Sequence, residues 1–241
     1  MEKNWLERTE LLIKEKGARK LLKSNVLVIG LGGVGSFAAE FLARAGIGTM
    51  TIVDGDTVDI TNINRQLPAL HSTIGLSKAD LMQARLMDIN PNLKLTQISR
   101  FLEPEDMVEI LDADKFDYVL DCIDSVTPKI TLIKAAKRKK IKVVSCMGAG
   151  GKTDPSKVMV RDISKTYNCY LAKQVRKRLK KESINKGIRC VFSNEIQQEN
   201  SLKLTDGTNY KKSFYGTISY IPAMFGLYAA AEVINHLLKN E

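Results

Sequence analysis

The chain has 241 residues, a length that suits one α/β domain with a sizeable hydrophobic core. Its 37 lysines and arginines exceed its 27 aspartates and glutamates, and the formal charge of +10 fits a polyanionic partner if the cations cluster. The four cysteines are widely spaced and form no Cys-x-x-Cys pair, which argues against a structural zinc site and indicates a reduced, cytoplasmic chain.

Neither end of the chain has the composition of a membrane segment. The first five residues contain no apolar core of a signal peptide. Residues 213–231 are uncharged, but they include Pro222, two glycines and several polar side chains, and Glu232 follows them. This composition indicates a buried helix, so we expect no membrane association.

Residues 5–22 predict an opening helix, and the stretch after it predicts a nucleotide-binding β-α-β unit. The unit consists of a strand at 26–29, a glycine turn, a helix at 36–45 and a strand at 50–53 that ends on Asp54. Such glycines let the backbone approach a phosphate, and the helix start offers it free N–H groups. An acid beyond the second strand lies where a ribose hydroxyl needs an acceptor. The turn contains Gly30, Gly32, Gly33 and Gly35.

Charged and polar residues after this unit favour a triphosphate over an uncharged nicotinamide. They are Asp56, Asn62, Arg65 and Lys78. Cations and carboxylates beside one phosphate cradle suit ATP and its metal ion. Asn62 and Arg65 are three residues apart, so a helical turn would place both on one side. Lys78 lies in the first turn of a helix predicted over 77–90, where a cation opposes the helix dipole, and we therefore expect a bound anion beside it.

A buried strand predicted at 116–120 ends just before Asp121 and Asp124. Ligands of doubly wound sheets bind beyond the carboxyl ends of the strands, so Asp124 is a candidate for the site, with Asp121 and Asp56 as further candidates. The alternative is that Asp124 or Ser125 caps the following helix.

The remaining pattern completes a Rossmann-like, doubly wound, mainly parallel sheet with helices on both faces, with further strands at 94–98 and 143–146. We expect a single domain over residues 1–241, with a nucleotide-binding part at about 24–150 and a substrate-facing part at about 151–241. The second part is predicted as a small substructure with strands at 158–163 and 189–193, a helix at 171–182, a polar loop at 195–212 and a final helix.

Two clusters of cations are candidates for binding a polyanion. Six of the nine residues from Lys134 to Lys142 are basic, but they end a predicted helix, where cations compensate the dipole. The second cluster lies on the predicted helix at 171–182 and has no acid four residues away before Glu182, so we expect a phosphate backbone to relieve its repulsion. This cluster consists of Lys173, Arg176, Lys177, Arg178, Lys180 and Lys181.

Five motifs occur in the order found in the ubiquitin-activating-enzyme-like adenylating enzymes (the HesA, MoeB and ThiF proteins), and the chain resembles these enzymes over most of its length. The motifs are Gly-Gly-Val-Gly, Asp-x-Asp, Asn-x-x-Arg-Gln, Gly-x-x-Lys and Asp-Cys-Ile-Asp. The resemblance is closest to the tRNA threonylcarbamoyladenosine dehydratases, which share the opening Arg8-Thr9-Glu10-Leu11, the run Asp124-Ser125-x-x-Pro128-Lys129 and the segment Val191-Phe192-Ser193.

The resemblance implies an enzyme that uses ATP and Mg²⁺ to act on tRNA. Such an enzyme adenylates the carboxylate of the threonylcarbamoyl group on the adenosine 3′ of the anticodon, and a nitrogen of the same group then closes a ring and releases AMP. By this resemblance the glycines and Asp54, Asp56 and Asn62 bind ATP, Arg65 and Lys78 neutralise the triphosphate, and Asp124 holds Mg²⁺. Arg8 either reaches the triphosphate of a partner subunit in a homodimer or is only a solvated charge.

The resemblance leaves two alternatives open. The first is an enzyme that adenylates a ubiquitin-like sulfur carrier, although such enzymes usually have Cys-x-x-Cys zinc ligands and often a thioester cysteine. The second is a non-enzymatic or nicotinamide-binding Rossmann module, which would leave Asn62, Arg65, Lys78 and Asp124 unexplained. Relatives carry a cysteine shortly before the final helix, and residues 211–214 have none, which puts a sulfur-transfer protein partner in doubt. Ring closure within one molecule needs no enzyme thioester, so we expect no catalytic cysteine.

Overall fold

The computed structural model describes residues 4–204 and 213–239. Its strands are β1 (Asn25–Ile29), β2 (Thr49–Val53), β3 (Lys94–Ile98), β4 (Tyr118–Asp121), β5 (Lys142–Cys146), β6 (Val158–Asp162), β7 (Arg189–Ser193), β8 (Leu202–Leu204) and β9 (Ser213–Tyr215). Its α-helices are α1 (Glu7–Lys23), α2 (Gly35–Arg44), α3 (Lys78–Ile89), α4 (Asp106–Ala113), α5 (Val126–Arg138), α6 (Tyr170–Lys181) and α7 (Tyr220–Lys239). Each strand predicted from the sequence is present, with ends that differ by no more than about two residues.

Seven strands form one sheet in the order β3-β2-β1-β4-β5-β7-β6, and within it β6 is the strand that runs antiparallel to its neighbour. β1, β2 and β4 are nearly continuous apolar runs, as expected for parallel strands covered on both faces. The register pairs Ile29 with both Val53 and Asp121, so the carboxyl ends of these three strands meet at one edge. The predicted doubly wound, mainly parallel fold is confirmed.

Helices cover both faces of the sheet and bury an apolar layer on each. One layer lies between the sheet and α1, α2, α3 and α7, and it contains Leu42, Met82 and Phe225. The other lies between the sheet and α4, α5 and α6, and it contains Leu132 and Val175. The loops at the carboxyl edge are thereby held between two packed layers.

The C-terminal part differs from the prediction in two ways. β6 and β7, which the sequence predicts within a small substructure, extend the main sheet. The prediction of a polar loop at 195–212 is wrong for Leu202–Leu204, because these residues form β8. This strand pairs antiparallel with β9, so that Leu202 lies opposite Tyr215 and Leu204 lies opposite Ser213. The rest of that predicted loop, 205–212, lies outside the described residues.

Helix α7 is long and apolar enough to cross a membrane by length and composition, and 44% of its apolar stretch is buried. Ile221, Phe225 and Val233 along it are fully buried in the core on the α2 side of the sheet. The buried helix predicted for residues 213–231 is therefore confirmed from Tyr220 onward, whereas Ser213–Tyr215 form β9.

Candidate active site

The glycine turn between β1 and α2 lies at the carboxyl edge of the sheet. Gly30 has a φ of +91°, and a Cβ on Gly35 would lie 1.7 Å from the carbonyl oxygen of Gly30, so neither position accepts a side chain. A Cβ on Gly33 would lie 3.1 Å from the carbonyl oxygen of Arg65. A Cβ on Gly32 would meet its nearest neighbouring atom only at 3.8 Å. The turn is therefore closed on its inner side and open beside Gly32, where a phosphate can approach the backbone.

Asp54 connects the glycine turn to the end of β2. Its Oδ2 accepts a hydrogen bond from the backbone N–H of Leu31 at 2.5 Å, and its Oδ1 accepts one from the backbone N–H of Asp56 at 2.8 Å. Burial raises the pKa of the Asp54 carboxyl, and the two hydrogen bonds oppose that rise. The carboxylate thus holds the glycine turn in shape, and its contact with a ribose stays a prediction.

Lys78 and Asp56 form an ion pair, with 2.8 Å between Lys78 Nζ and Asp56 Oδ2. Lys78 is 4% exposed, whereas the Asp56 side chain is 48% exposed. The anion expected beside Lys78 is therefore a carboxylate of the same chain. Because that carboxylate is half exposed, it can turn into solvent and leave the ammonium group to a phosphate.

Arg65 and Asp124 come from distant segments, and their opposite charges interact. The backbone N–H of Arg65 donates to the carbonyl of Asn62 at 3.0 Å, so these two residues share one turn. Burial lowers the pKa of the Arg65 guanidinium, and the carboxylate of Asp124 opposes that shift because the two opposite charges are close. Arg65 Nη1 also donates to the Thr61 carbonyl and to Asn64 Oδ1, each at 2.9 Å. The guanidinium is therefore held in place beside the carboxylate.

Other predicted site residues have surroundings of a different kind. The side chain of Asn62 is buried and its Oδ1 accepts from the backbone N–H of Asp59 at 3.3 Å, so it caps its own turn. Ser125, not Asp124, occupies the N-cap position of α5, and Asp124 is exposed beyond β4. Arg8 is exposed in α1, and within residues 4–204 and 213–239 no hydrogen bond or ion pair joins it to the site.

A buried ion pair that we did not predict from the sequence lies beneath the site. Lys129 Nζ is 2.7 Å from Asp121 Oδ2 and donates to the carbonyl of Cys146 at 2.9 Å. Ser145 Oγ donates to the same carboxylate oxygen at 2.5 Å, and the backbone N–H of Ile123 donates to Asp121 Oδ1 at 3.1 Å. Both charged side chains are 0% exposed. The pair therefore joins α5 to the ends of β4 and β5.

This arrangement corrects the expectation that Asp121 binds a ligand, since its carboxylate is enclosed and already occupied. The sequence contained one usable signal, a lysine between Pro128 and Ile130 on the face that a helix buries against a sheet. A lysine in such a position needs a buried acid as its partner.

The model of the ThiF family matches residues 6–241 of the chain. The chain belongs to the ThiF family. It is 42% identical to the tRNA threonylcarbamoyladenosine dehydratase of Bacillus subtilis, over 97% of this chain and 94% of the relative. It is 38% identical to the enzyme of the same name from Escherichia coli, over 98% of this chain and 94% of the relative. The crystal structure of the E. coli enzyme TcdA in complex with ATP has a TM-score of 0.86 and 37% identity, over 96% and 93% of the two chains.

The basic helix α6 of this ThiF protein carries two kinds of cation. Arg176 Nη1 donates to the carbonyl of Thr166 at 2.7 Å, and Arg178 Nη1 donates to Thr127 Oγ1 at 2.9 Å. The other four cations of the predicted cluster are exposed, and none forms an ion pair with a carboxylate of the described residues. These are Lys173, Lys177, Lys180 and Lys181. Two members of the cluster therefore fix the helix to its neighbours, and four face solvent.

The cysteines of the ThiF protein do not have the surroundings of activated nucleophiles. All four are free, and three of them, including Cys169, are buried. Burial raises the pKa of the Cys190 thiol, and a hydrogen bond with Cys146, together with burial, raises the pKa of Cys122. A nucleophilic thiol needs the opposite shift. The absence of a catalytic cysteine stays a prediction.

Proposed function

We propose that the chain is an ATP-dependent tRNA threonylcarbamoyladenosine dehydratase. Relatives of that name match almost the whole chain, and one of them binds ATP in its crystal structure. The observation that carries the proposal is the position of Arg65 beside the glycine turn, where a Cβ on Gly33 would lie 3.3 Å from Arg65 Cγ, and the charge of Asp124 acts on the same guanidinium. Cations and an exposed carboxylate in one cradle suit a triphosphate and its metal ion.

The proposed reaction proceeds in two steps. A carboxylate oxygen of the threonylcarbamoyl group attacks the α-phosphorus of ATP, and pyrophosphate leaves. A nitrogen of the same group then attacks the acyl carbon and loses its proton, and AMP leaves with the former carboxylate oxygen. The tRNA loses one water, and the second step is fast because nucleophile and acyl group belong to one molecule.

Each residue of the site has a proposed role in this reaction that follows from its position. The glycine turn and the first N–H groups of α2 would bind the phosphates, and Asp54 would accept from the ribose. Arg65 and Lys78 would stabilise the negative charge that grows on the phosphate oxygens. Lys78 must first leave Asp56, which the half-exposed carboxylate permits.

Asp124 is the residue that would hold Mg²⁺. The described residues contain no group of three or more His, Cys, Asp or Glu side chains arranged for a metal, so most ligands must come from ATP and water. One carboxylate plus substrate phosphates is a common way to bind Mg²⁺, and the donor set here fits it. Bound Mg²⁺ supplies Lewis-acid polarisation of the phosphate oxygens.

The enzyme is further proposed to act as a homodimer in the cytoplasm. Leu11 and Leu12 of α1 are 69% and 82% exposed, and Arg8 in the same helix does not contact the site of its own chain. A second copy of the chain would cover these leucines and receive Arg8 beside its triphosphate.

Subunit mixing tests this arrangement. A mixture of Arg8→Ala and Asp124→Asn proteins should recover up to about a quarter of wild-type activity, since each mixed dimer then holds one intact site made by both chains. If Arg8 acts within its own chain, or not at all on the site, the mixture recovers no activity beyond that of its parts.

A sulfur carrier or a sulfur-transfer partner is not proposed. The relatives that cover almost the whole chain are named for the dehydratase reaction, and the thiols of this chain are buried or half-buried.

Pyrophosphate exchange tests the adenylation step. Labelled pyrophosphate should enter ATP when the modified tRNA is present, and not when the tRNA lacks the threonylcarbamoyl carboxylate. Exchange without tRNA but with a small protein ending in Gly-Gly would favour a sulfur-carrier substrate. No exchange, together with nicotinamide binding, would contradict adenylation.

A further inference from the structure

The loop that enters α6 exposes two aromatic side chains next to the solvent-facing lysines of that helix. Tyr167 is 49% exposed and Tyr170 is 62% exposed, and they lie three residues apart. Lys173 and Lys177 follow on the first two turns of α6, both exposed. Aromatic faces beside cations are the surface that unpaired RNA bases and their phosphates recognise.

Tyr167 is fixed in place although half of it faces solvent. Its ring packs edge-on against Phe192, with 5.8 Å between the ring centroids. Its hydroxyl accepts a hydrogen bond from Asn194 Nδ2 at 2.8 Å, and Asn168 Nδ2 donates to the Asn194 carbonyl at 3.1 Å. A ring held by the buried strand β7 loses little freedom when a base stacks on it.

The side chain of Gln197 connects this surface to the carboxyl edge of the sheet. Its Oε1 accepts from the backbone N–H of Tyr170 at 3.4 Å, and its Nε2 donates to the carbonyl of Gly150 at 3.3 Å. Gly150 lies in the loop after β5. β5 pairs with β4, with Ser145 opposite Asp121, and Asp124 lies in the loop after β4. The start of α6 is therefore next to the loop that follows β5, and Arg178 further along the helix reaches Thr127 in the first turn of α5.

We infer that Tyr167 and Tyr170 are a stacking platform for unpaired bases of an RNA loop, and that Lys173 and Lys177 bind the adjoining phosphates. This inference rests on the proposed tRNA substrate and adds which part of the tRNA meets which part of the chain. The modified adenosine must enter the active site out of its own stack, so bases beside it need another aromatic surface. Tyr167 and Tyr170 supply that surface next to the loop of Gly150.

Tyr170 allows a clean test because its hydroxyl forms no hydrogen bond within the described part of the chain. Tyr170→Ala removes the ring, and Tyr170→Phe keeps it as the matched control. The probe is an RNA hairpin with a 2-aminopurine in its unpaired loop, compared with a fully paired RNA duplex of equal length, both measured without ATP. Tyr170→Ala should weaken hairpin binding by about five- to a hundredfold and abolish the loss of 2-aminopurine fluorescence, and Tyr170→Phe should bind like wild type.

The fully paired duplex distinguishes base stacking on Tyr170 from phosphate binding by the lysines. Tyr170→Ala should bind the duplex as wild type does, whereas Lys173→Gln with Lys177→Gln should weaken both RNAs. Equal hairpin binding by Tyr170→Ala and Tyr170→Phe, or no hairpin binding by wild type, would overturn the platform. Neither result bears on the dehydratase activity, which is measured separately as ATP-dependent loss of water from tRNA.

Discussion

The carboxyl edge of the sheet and the surface of α6 use charge in opposite ways. At the carboxyl edge, charged side chains have partners within the chain: Lys78 pairs with Asp56, Lys129 pairs with Asp121, and Arg65 lies beside Asp124. On α6 the lysines face solvent and form no ion pair among the described residues. A small triphosphate needs groups held in fixed geometry, whereas a long phosphate backbone is bound through many exposed cations. The difference fits the proposal that ATP binds at the carboxyl edge and that tRNA lies on α6.

The largest effect on stability is expected where charge is fully buried. Lys129→Met should lower the free energy of unfolding by about 3–5 kcal/mol, because the carboxylate of Asp121 is left buried and unpaired. Urea unfolding measures this. Lys78→Met is the matched control and should cost clearly less, because Asp56 is half exposed and can be solvated. Equal losses in the two variants would mean that burial does not distinguish the two pairs.

The largest effect on catalysis without loss of stability is expected at Asp124. Asp124→Asn should reduce ATP turnover by about a hundred- to a thousandfold, as removal of one charge-stabilising group commonly does. The side chain is exposed, so the variant should stay folded, and its unfolding midpoint in urea should fall by much less than that of Lys129→Met. A well-folded variant with wild-type turnover would show that Asp124 is not part of the active site.

The sequence predicts the buried strands and the glycine turn, but it does not predict β8 or the buried ion pair. Buried parallel strands are continuous apolar runs, and the predicted β1 and β2 therefore differ from the observed strands by one residue each. β8 escapes prediction because Leu202–Leu204 lies in a polar stretch and is a strand only through its pairing with β9. The Lys129–Asp121 pair depends on how β4, β5 and α5 pack together, which no local pattern specifies. The glycine turn is predictable because the local backbone itself requires glycine at two of its positions.

A smaller effect is expected from the exposed lysines of α6. In the lysine variant Lys173, Lys177, Lys180 and Lys181 are all changed to Gln. The slope of log K for tRNA binding against log salt concentration should become shallower by about 0.7–0.9 for each phosphate that a lysine no longer neutralises. ATP affinity should stay the same, since these residues lie outside the nucleotide site. Arg176→Gln is the contrasting variant, because its guanidinium bonds to Thr166, and it should lower stability more than it changes the salt slope. An unchanged slope in the lysine variant would mean that the lysines are only a solvated surface.

The smallest effect is expected from the buried cysteines of the C-terminal part. Cys169→Ala with Cys190→Ala should keep dehydration within about threefold of wild type, since ring closure within one molecule needs no covalent enzyme intermediate. Loss of product with intact pyrophosphate exchange would indicate a thioester intermediate, and would favour an enzyme that activates a sulfur carrier.

Mass analysis of tRNA nucleosides tests most directly whether the chain dehydrates threonylcarbamoyladenosine in tRNA. Wild-type protein with ATP, Mg²⁺ and tRNA that carries threonylcarbamoyladenosine should yield a nucleoside lighter by one water, with one AMP formed for each product. Asp124→Asn should yield neither. An unchanged nucleoside with the wild-type protein, while ATP is bound and the tRNA is bound, would contradict the account.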